Sequence, residues 1–494
     1  MAVIGLDVGT TGVKSTVFDE NARVIGHAYR EYNLIGEHEG KFELDPSQLW
    51  AKALEVLGES ARGCGRDVKA ISVTSFGESF VCLDERDEPL CNTMIYMDKR
   101  GAEECAEYRL KRSDREIFSE CGQFVDPMFG LYKLRWMRKH QPEILEKTRR
   151  LCFIADFMTY RLGADHKCDY SLAARSAMFN VFTKAWIDSA IEFSTIDRAI
   201  LPEPVPSGSV VGHMSPAMAD ALGMGEGVKL IVSGHDQILA ALGSGAWEPG
   251  DVANGMGTVD CITAVMPGDR LNLDALIKYN FPVVPFMDTG DYVTYAFNMS
   301  GGCAIKWFRD TVAKDLAGQK DAYRLLDEEA PEAPTGILVL PYLAGGGTPF
   351  MDGNTPGAIA GLRLGTSRGK LFRAFLEGET YEMMFNIECL KEVGIDIRKV
   401  ITVGGGSNSK LWMQIRADVF DRPVYLPVHK EAGTLASAML CYAGTGAYPS
   451  VRAAQEAMIR YEPPFTPRPE QASEYRPHYE RYKKCYRLIK ELFQ

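Results

Sequence analysis

Two stretches far apart in this chain share one pattern, and that pattern constrains the fold more than any other feature. VIGLDVGTTGVKSTVFD, from Val3 to Asp19, alternates β-branched residues around a Gly/Thr turn and ends at a second turn, Asp19-Glu20-Asn21. GDVANGMGTVDCITAV, from Gly250 to Val265, is again strand, Gly/Thr turn, strand. One such module per half predicts a duplicated α/β domain with a cleft between the copies. The length of 494 residues is about three domains at roughly 150 residues each, or two large ones. The run Ile238 to Thr258 breaks at Gly243, Gly245, Pro249 and Gly250, which places the boundary near Trp247 and the domains at 1–246 and 247–494.

Coarse periodicity fills in the rest. Arg23 to Tyr32 reads as a further strand of an opening meander, and Pro46 starts a helix of apolar residues at helical spacing. Val68 to Asp84 and Val228 to Gln237 read as strands, and Lys99 to Tyr160 as largely helical. Gly369 to Gly394 reads as a helix, and Val400 to Phe420 as strand, glycine turn and helix. The Tyr- and charge-rich tail from Ser473 is expected to be a solvated closing helix.

Composition narrows the function classes. Hydrophobic residues make up 46% and charged residues 24%, so the chain can build a core without disulfides or metals. Lys+Arg number 55 against 66 Asp+Glu, a net charge of -11, which argues against nucleic-acid and anionic-membrane partners. No basic and apolar leader opens the sequence and no apolar run spans a bilayer, so a soluble, cytoplasmic protein is expected. The twelve cysteines contain no C-x-x-C pair and the eight histidines no H-x-x-x-H spacing. Reduced core thiols and no zinc site are the expectation.

Glycine–threonine turns present backbone N–H groups as an anion-binding concavity, and Thr hydroxyls add donors without bulk. Asp7 ends the strand entering the first turn, where a carboxylate suits an Mg2+ site through retained waters, and Lys14 lies across the turn to neutralise phosphate charge. Either turn alone is equally readable as a β-hairpin with permissive glycines. Gly9 to Ser15 is not a P-loop, because Gly12 and Lys14 are not adjacent and a strand follows. Asp236 in SGHDQ stands just past an apolar strand, where it either accepts a substrate hydroxyl proton or simply forms a turn. Val403 to Ile415 carries three glycines at a strand end, which lets a flat ring approach the backbone.

From about Val3 to Gly444 the chain resembles the FGGY carbohydrate kinases of the actin/Hsp70-like ATPase superfamily. The resemblance rests on ordered motifs: GLDVGTTGVKSTVFD, SGHDQ, GMGT, SGGCAIKWFRD (Ser300 to Asp310), the glycine-rich segment Gly357 to Gly378, GGGSNSKLWMQIRAD, and KEAGTLASAMLCYAG (Lys430 to Gly444). It implies two ribonuclease-H-like domains and ATP- and Mg2+-dependent phosphorylation of a sugar, ketose or polyol hydroxyl. Asp236 is then the general base and Asp7 helps hold Mg2+. Thr10, Thr11, Lys14, Gly257 and Thr258 contact the ATP phosphates, while Gly302, Gly404, Gly405 and Ser409 line the nucleotide site. Catalysis would work by positioning, charge neutralisation and exclusion of water on domain closure. The family resemblance also makes a homodimer plausible.

Some positions depart from the family pattern. Met128 to His140 keeps Lys133 and Trp136, but Gly130 stands where Pro, Ser or Thr is usual. Lys370 replaces a residue that is normally acidic, amide or His, and Phe375 a smaller one. The acceptor loop reads Ser75-Phe76-Gly77-Glu78, whereas kinases similar to xylulokinase usually place His at the position of Glu78 and glycerol kinases place Arg-Glu at the positions of Gly77 and Glu78. The loop fits neither set cleanly; a carboxylate here accepts hydrogen bonds from two hydroxyls, which suits a polyol or sugar and disfavours a sugar acid. Phe76, Gly77, Glu78, Asp98, Met128 and Gln237 are the acceptor-pocket candidates, with solvated loop carboxylates as the other reading of Glu78 and Asp98. A nucleotide-switched interaction ATPase of the actin/Hsp70 type is the competing function.

Overall fold

The computed structural model describes residues 1–36 and 40–493. Backbone contacts divide the chain into two units. The first comprises Met1–Gly243, Pro282–Val293 and Glu431–Ile459, and the second Ser244–Phe281, Thr294–Lys430 and Arg460–Gln494. The first unit is therefore not one stretch of sequence, and the helix Ala432–Gly444, which lies in the second half of the chain, belongs to it.

The sheet of the first unit runs in the order Val210–His213, Lys229–His235, Val68–Ser75, Ala2–Val8, Gly12–Asp19, Val24–Glu31. Ala2–Val8, Gly12–Asp19 and Val24–Glu31 form the expected antiparallel meander, while Val68–Ser75 and Lys229–His235 continue parallel to Ala2–Val8. Ala2–Val8 is buried at every residue but Asp7, because both faces of the sheet are covered, and so it reads as a continuous apolar run rather than an alternation. Gly5 shows how close the cover comes. A Cβ there would lie 2.3 Å from the Thr434 carbonyl oxygen, so the helix Ala432–Gly444 rests on the strand backbone.

The second unit repeats the plan. From Tyr292–Asn298 its sheet continues through Asp260–Met266, Asp251–Met256, Lys399–Val403 and Val424–Tyr425. Asp251–Met256 and Asp260–Met266 are antiparallel across the second Gly/Thr turn, and Lys399–Val403 is parallel to Asp251–Met256. Strand order and sense thus match the first unit, which establishes the duplicated α/β architecture.

The helix read at Gly369 to Gly394 spans Arg368–Val393, capped by Ser367 at one end and by Gly394, at φ 102°, at the other. Phe375 fills an aromatic cluster with Trp307 and Phe308, at centroid distances of 5.8 and 5.3 Å. Lys370 is half-buried in the first turn of that helix, and Gly130 opens the helix Gly130–His140. The tail departs from its reading as solvated in its first helix, while the helix Cys485–Phe493 has no buried residue. In Pro469–Tyr482 the residues Tyr475, Tyr479 and Tyr482 are buried. The Tyr475 hydroxyl accepts from Arg373 at 2.6 Å and the Tyr482 hydroxyl donates to Glu382. Tyrosine spacing of three and four residues builds one buried face, which an eye on charge alone passes over.

Candidate active site

The first Gly/Thr turn closes between Val8 and Val13, the last cross-strand pair of the hairpin. The Gly9 N–H donates to the Gly12 carbonyl at 2.9 Å, and the Tyr32 hydroxyl donates to the Gly9 carbonyl from below. At Gly12 a Cβ would lie 2.7 Å from the Arg30 carbonyl oxygen, so only glycine fits there. Thr10 is half-buried and Thr11 exposed at the tip. One pair further down the ladder Asp7 faces Lys14, with Oδ2 and Nζ 3.3 Å apart, and Lys14 also binds Glu431 at 2.9 Å. Burial pushes the Asp7 carboxyl above its ordinary range, against the pull of Lys14. Burial works against the Lys14 ammonium, but Asp7 and Glu431 outweigh it and hold the group protonated.

Asp236 is the first residue of the helix Asp236–Ser244, directly after the strand Lys229–His235. A register shift between Val232 and Gly234 bends the chain there. Gly234 sits at φ 155°, and a Cβ on it would meet Asp169 Oδ1 and Ser171 Oγ at 2.9 Å. Ser171 Oγ accepts the His235 N–H at 2.9 Å and is itself held by Asp169. This buried bracket fixes where the Asp236 side chain emerges. Its carboxyl is pushed up to about 7 by burial, then by the nearby charges of Asp7 and Glu78, while the Gln237 backbone and side-chain amides oppose the shift. His235 Nε2 lies 3.4 Å from Asp236 Oδ1. Burial holds that imidazole well below its usual range, so it contributes a dipole rather than a charge.

The loop carrying Phe76, Gly77 and Glu78 packs against the same bracket. Phe76 is buried and its N–H donates to the Val8 carbonyl at 3.2 Å. A Cβ on Gly77 would stand 3.0 Å from both His235 Cδ2 and Arg175 Cγ. Glu78 has φ 60° and is 6% exposed, so it is not a solvated loop carboxylate. Arg175 grips it through Nε and Nη2. Arg175 Nη1 donates to Gln123 Oε1 at 2.8 Å, and its guanidinium lies 5.0 Å from the Phe129 ring centroid. Lys133, fully buried, donates to the carbonyls of Glu78, Met94 and Ile95 at 3.0, 3.3 and 2.9 Å. Burial pulls its ammonium down to about 7. Tyr96, half-buried, stands within electrostatic reach of both Glu78 and Asp236.

Asp98 is not solvated either. It has no exposed surface and is held by the Arg100 guanidinium and by the N–H groups of Arg100 and Phe42, both at 3.0 Å. That carboxylate anchors a loop, with its lone pairs already engaged. Met128 is buried at a turn whose N–H is capped by Asp126 at 2.9 Å.

In the second unit the turn follows Met256. The Gly302 N–H donates to the Gly257 carbonyl at 2.9 Å and the Cys303 N–H to the Thr258 carbonyl at 3.2 Å. A Cβ on Gly302 would lie 2.5 Å from the Gly257 oxygen, and one on Gly404, at φ 94°, 2.7 Å from the Met256 oxygen. The glycines Gly257, Gly302 and Gly404 thus converge with Thr258 and leave bare backbone where three segments meet. Gly405 has nothing within 4 Å of its Cβ position. Ser409 caps the helix Lys410–Phe420 through the Trp412 N–H at 3.0 Å. Asp327 is pushed up to about 6 by burial, with Ser409 pulling the other way.

Sequence reasoning missed Glu431, Arg175, Gln123 and Tyr96. Each joins its partner across a long sequence separation, and although Glu431 lies within a quoted motif, no local pattern gives any of the four its partner. Lys133 was noted only as part of a motif, without its buried, triply bonded role.

Comparison with known proteins decides what this arrangement is. Residues 2–243 match the N-terminal domain of the FGGY family of carbohydrate kinases, and residues 253–444 its C-terminal domain. The chain belongs to that family. A xylulose kinase of Bacillus subtilis (strain 168) is 26% identical over 496 residues, covering 99% of this chain and 97% of the relative. A glycerol kinase of Symbiobacterium thermophilum is 30% identical over 464 residues, covering 90% of each. The crystal structure of a ligand-bound xylulose kinase from Lactobacillus acidophilus superposes with a TM-score of 0.91 at 22% identity, over 100% of this chain and 99% of that one, and shows the common fold. This FGGY kinase is accordingly an ATP-dependent phosphotransferase with an alcohol group as acceptor. Among the described residues no helix is long and apolar enough to cross a membrane.

Proposed function

We propose that this FGGY kinase phosphorylates a hydroxyl of a small neutral ketose, a pentulose such as xylulose, with Asp236 as general base. The observation that carries the reading is the Asp236 carboxyl, held near pH 7 at the end of an apolar strand with buried Glu78 in its electrostatic field. A base whose pKa lies near working pH combines a usable ionised fraction with enough basicity to take a hydroxyl proton as the phosphoryl acceptor forms its bond. Glu78, oriented by Arg175, would accept hydrogen bonds from neighbouring acceptor hydroxyls, with Phe76, Gly77, Met128 and Gln237 shaping the pocket. The same carboxylate disfavours a sugar acid by like-charge repulsion.

Within the first unit Thr10, Thr11 and Lys14 would bind phosphate oxygens; within the second, Gly257 and Thr258 form a turn of the same phosphate-binding kind. Gly302, Gly404, Gly405 and Ser409 would line the nucleotide. Asp7 fits a hard divalent cation. Its Oδ2 faces Gly433, where a Cβ would stand 3.3 Å away, so the missing side chain keeps that side of the carboxylate open. Mg2+ held there would supply neutralisation of phosphate charge.

The test is ADP release over a panel of pentuloses, hexuloses, polyols, sugar acids and glycerol. Turnover confined to sugar acids would overturn the reading. A second reading, a polyol kinase acting on glycerol, is favoured by Glu78 itself, since glycerol kinases carry Glu at that position; highest kcat/KM for glycerol would select it.

A further inference from the structure

We propose that Cys152, Asp156 and His166 form a zinc-binding site in the first unit, separate from the kinase centre. Cys152 lies on the strand Arg150–Phe153, Asp156 in the first turn of the helix Ile154–Leu162, and His166 in the loop that follows. One donor atom from each falls within 4.8 Å of the other two, a spread that modest side-chain adjustment closes to a common ion.

Three features point to a cation. Asp156 is 2% exposed, and while its Oδ2 accepts the Phe153 N–H at 3.0 Å, its Oδ1 has no hydrogen-bond partner. An unsatisfied carboxylate oxygen in such a place is costly unless something positive meets it. His166 Nε2 lies 3.0 Å from the Leu151 carbonyl. That is the backing a metal-bound histidine commonly has. Of the charged neighbours, Arg150 and Asp87 are already paired with each other at 2.5 Å, and Asp169 accepts from Ser171 and Ser207.

The donor chemistry selects the metal. One thiolate, one imidazole and one carboxylate suit Zn2+ and exclude Mg2+ or Ca2+, which take oxygen donors. Binding releases the thiol proton and any carboxyl proton to solvent. Thiolate and carboxylate then cancel the two charges of the ion, so a neutral complex occupies a buried position. His166 is only half-buried, which provides the entry path and room for solvent as a fourth ligand. The site clamps the strand Arg150–Phe153, which pairs with Phe80–Leu83 immediately after the acceptor loop, to the helix and loop behind it.

The experiment is metal analysis of the full chain, loaded with zinc chloride and desalted against a weak chelator. About one zinc per chain is expected, retained in Cys64→Ser and lost in both Cys152→Ser and His166→Ala. His166→Ala removes a half-exposed ring, so its fold, checked by circular dichroism, should survive. Cobalt in place of zinc should give a thiolate-to-metal charge-transfer band that Cys152→Ser abolishes. Absence of bound zinc in the parent, or equal zinc in parent and both variants, would overturn the assignment.

Discussion

The two Gly/Thr turns occupy the same place in two sheets of the same strand order, yet they handle charge in opposite ways. In the first, the pair below the turn is Asp7 facing Lys14, both partly open, with Glu431 joining them. In the second, the equivalent pair is Gly255 facing Cys261, with no ionisable carboxylate. The charges of the second hairpin are sealed beneath it. Arg416 and Asp260 are 0% and 1% exposed and bind each other, and Asn254 donates to Asp260 at 2.6 Å and accepts from Arg416. The two hairpins share a backbone shape, while the open pair of carboxylate and ammonium stands in the first and the charges of the second are buried.

The largest effect expected from this asymmetry belongs to Asp236. Asp236→Ala should lower kcat by about 10²–10⁴-fold with ATP affinity by titration calorimetry nearly unchanged; unaltered turnover would remove Asp236 from its role. The next contrast is in stability. Arg416→Met leaves Asp260 buried without its partner and should cost about 3–5 kcal/mol in denaturant unfolding. Lys14→Met, in a half-open pair, should cost no more than about 1 kcal/mol while still impairing turnover. Equal stability losses would erase the distinction drawn between the two turns.

The remaining effects concern pH. Only ionised Asp236 can accept a proton, so kcat/KM should rise with pH through a limb centred near 7. Asp7 is one of the charges that raise this carboxyl. The residual activity of Asp7→Asn should therefore show its limb at lower pH, and an unmoved limb would mean the two carboxylates are not coupled. The smallest expected effect is on folding. A carboxyl whose folded pKa is raised favours the native state below its unfolded pKa and loses that benefit as pH climbs through 7. Asp236→Asn should therefore resist denaturant better than the parent at pH 8, with the gap closing toward pH 4.

Much of the candidate site could be read along the chain because its parts are local. A carboxylate at a strand end, as at Asp7 and Asp236, and glycine at a turn announce themselves through immediate neighbours. Glu78 was visible as an acceptor-loop residue, but its fixation by Arg175 was not, nor was the engagement of Asp98 by Arg100 and the Phe42 N–H. The tail shows the same limit in the opposite direction. Tyrosines that look amphipathic in sequence become core once Arg373 and Glu382 supply partners for their hydroxyls. The spacing of Cys152, Asp156 and His166 follows no zinc motif, because a strand, a helix turn and a loop contribute one donor each.

Strand periodicity and glycine placement set the duplicated hairpins, since backbone torsions and alternate burial act over a few residues and leave their imprint locally. Which charges lie open and which are sealed was decided by the packed structure alone. A carboxylate's pKa depends on the dielectric and the charges within a few ångströms, and those come from segments such as Glu431 and Arg175 that only folding brings alongside.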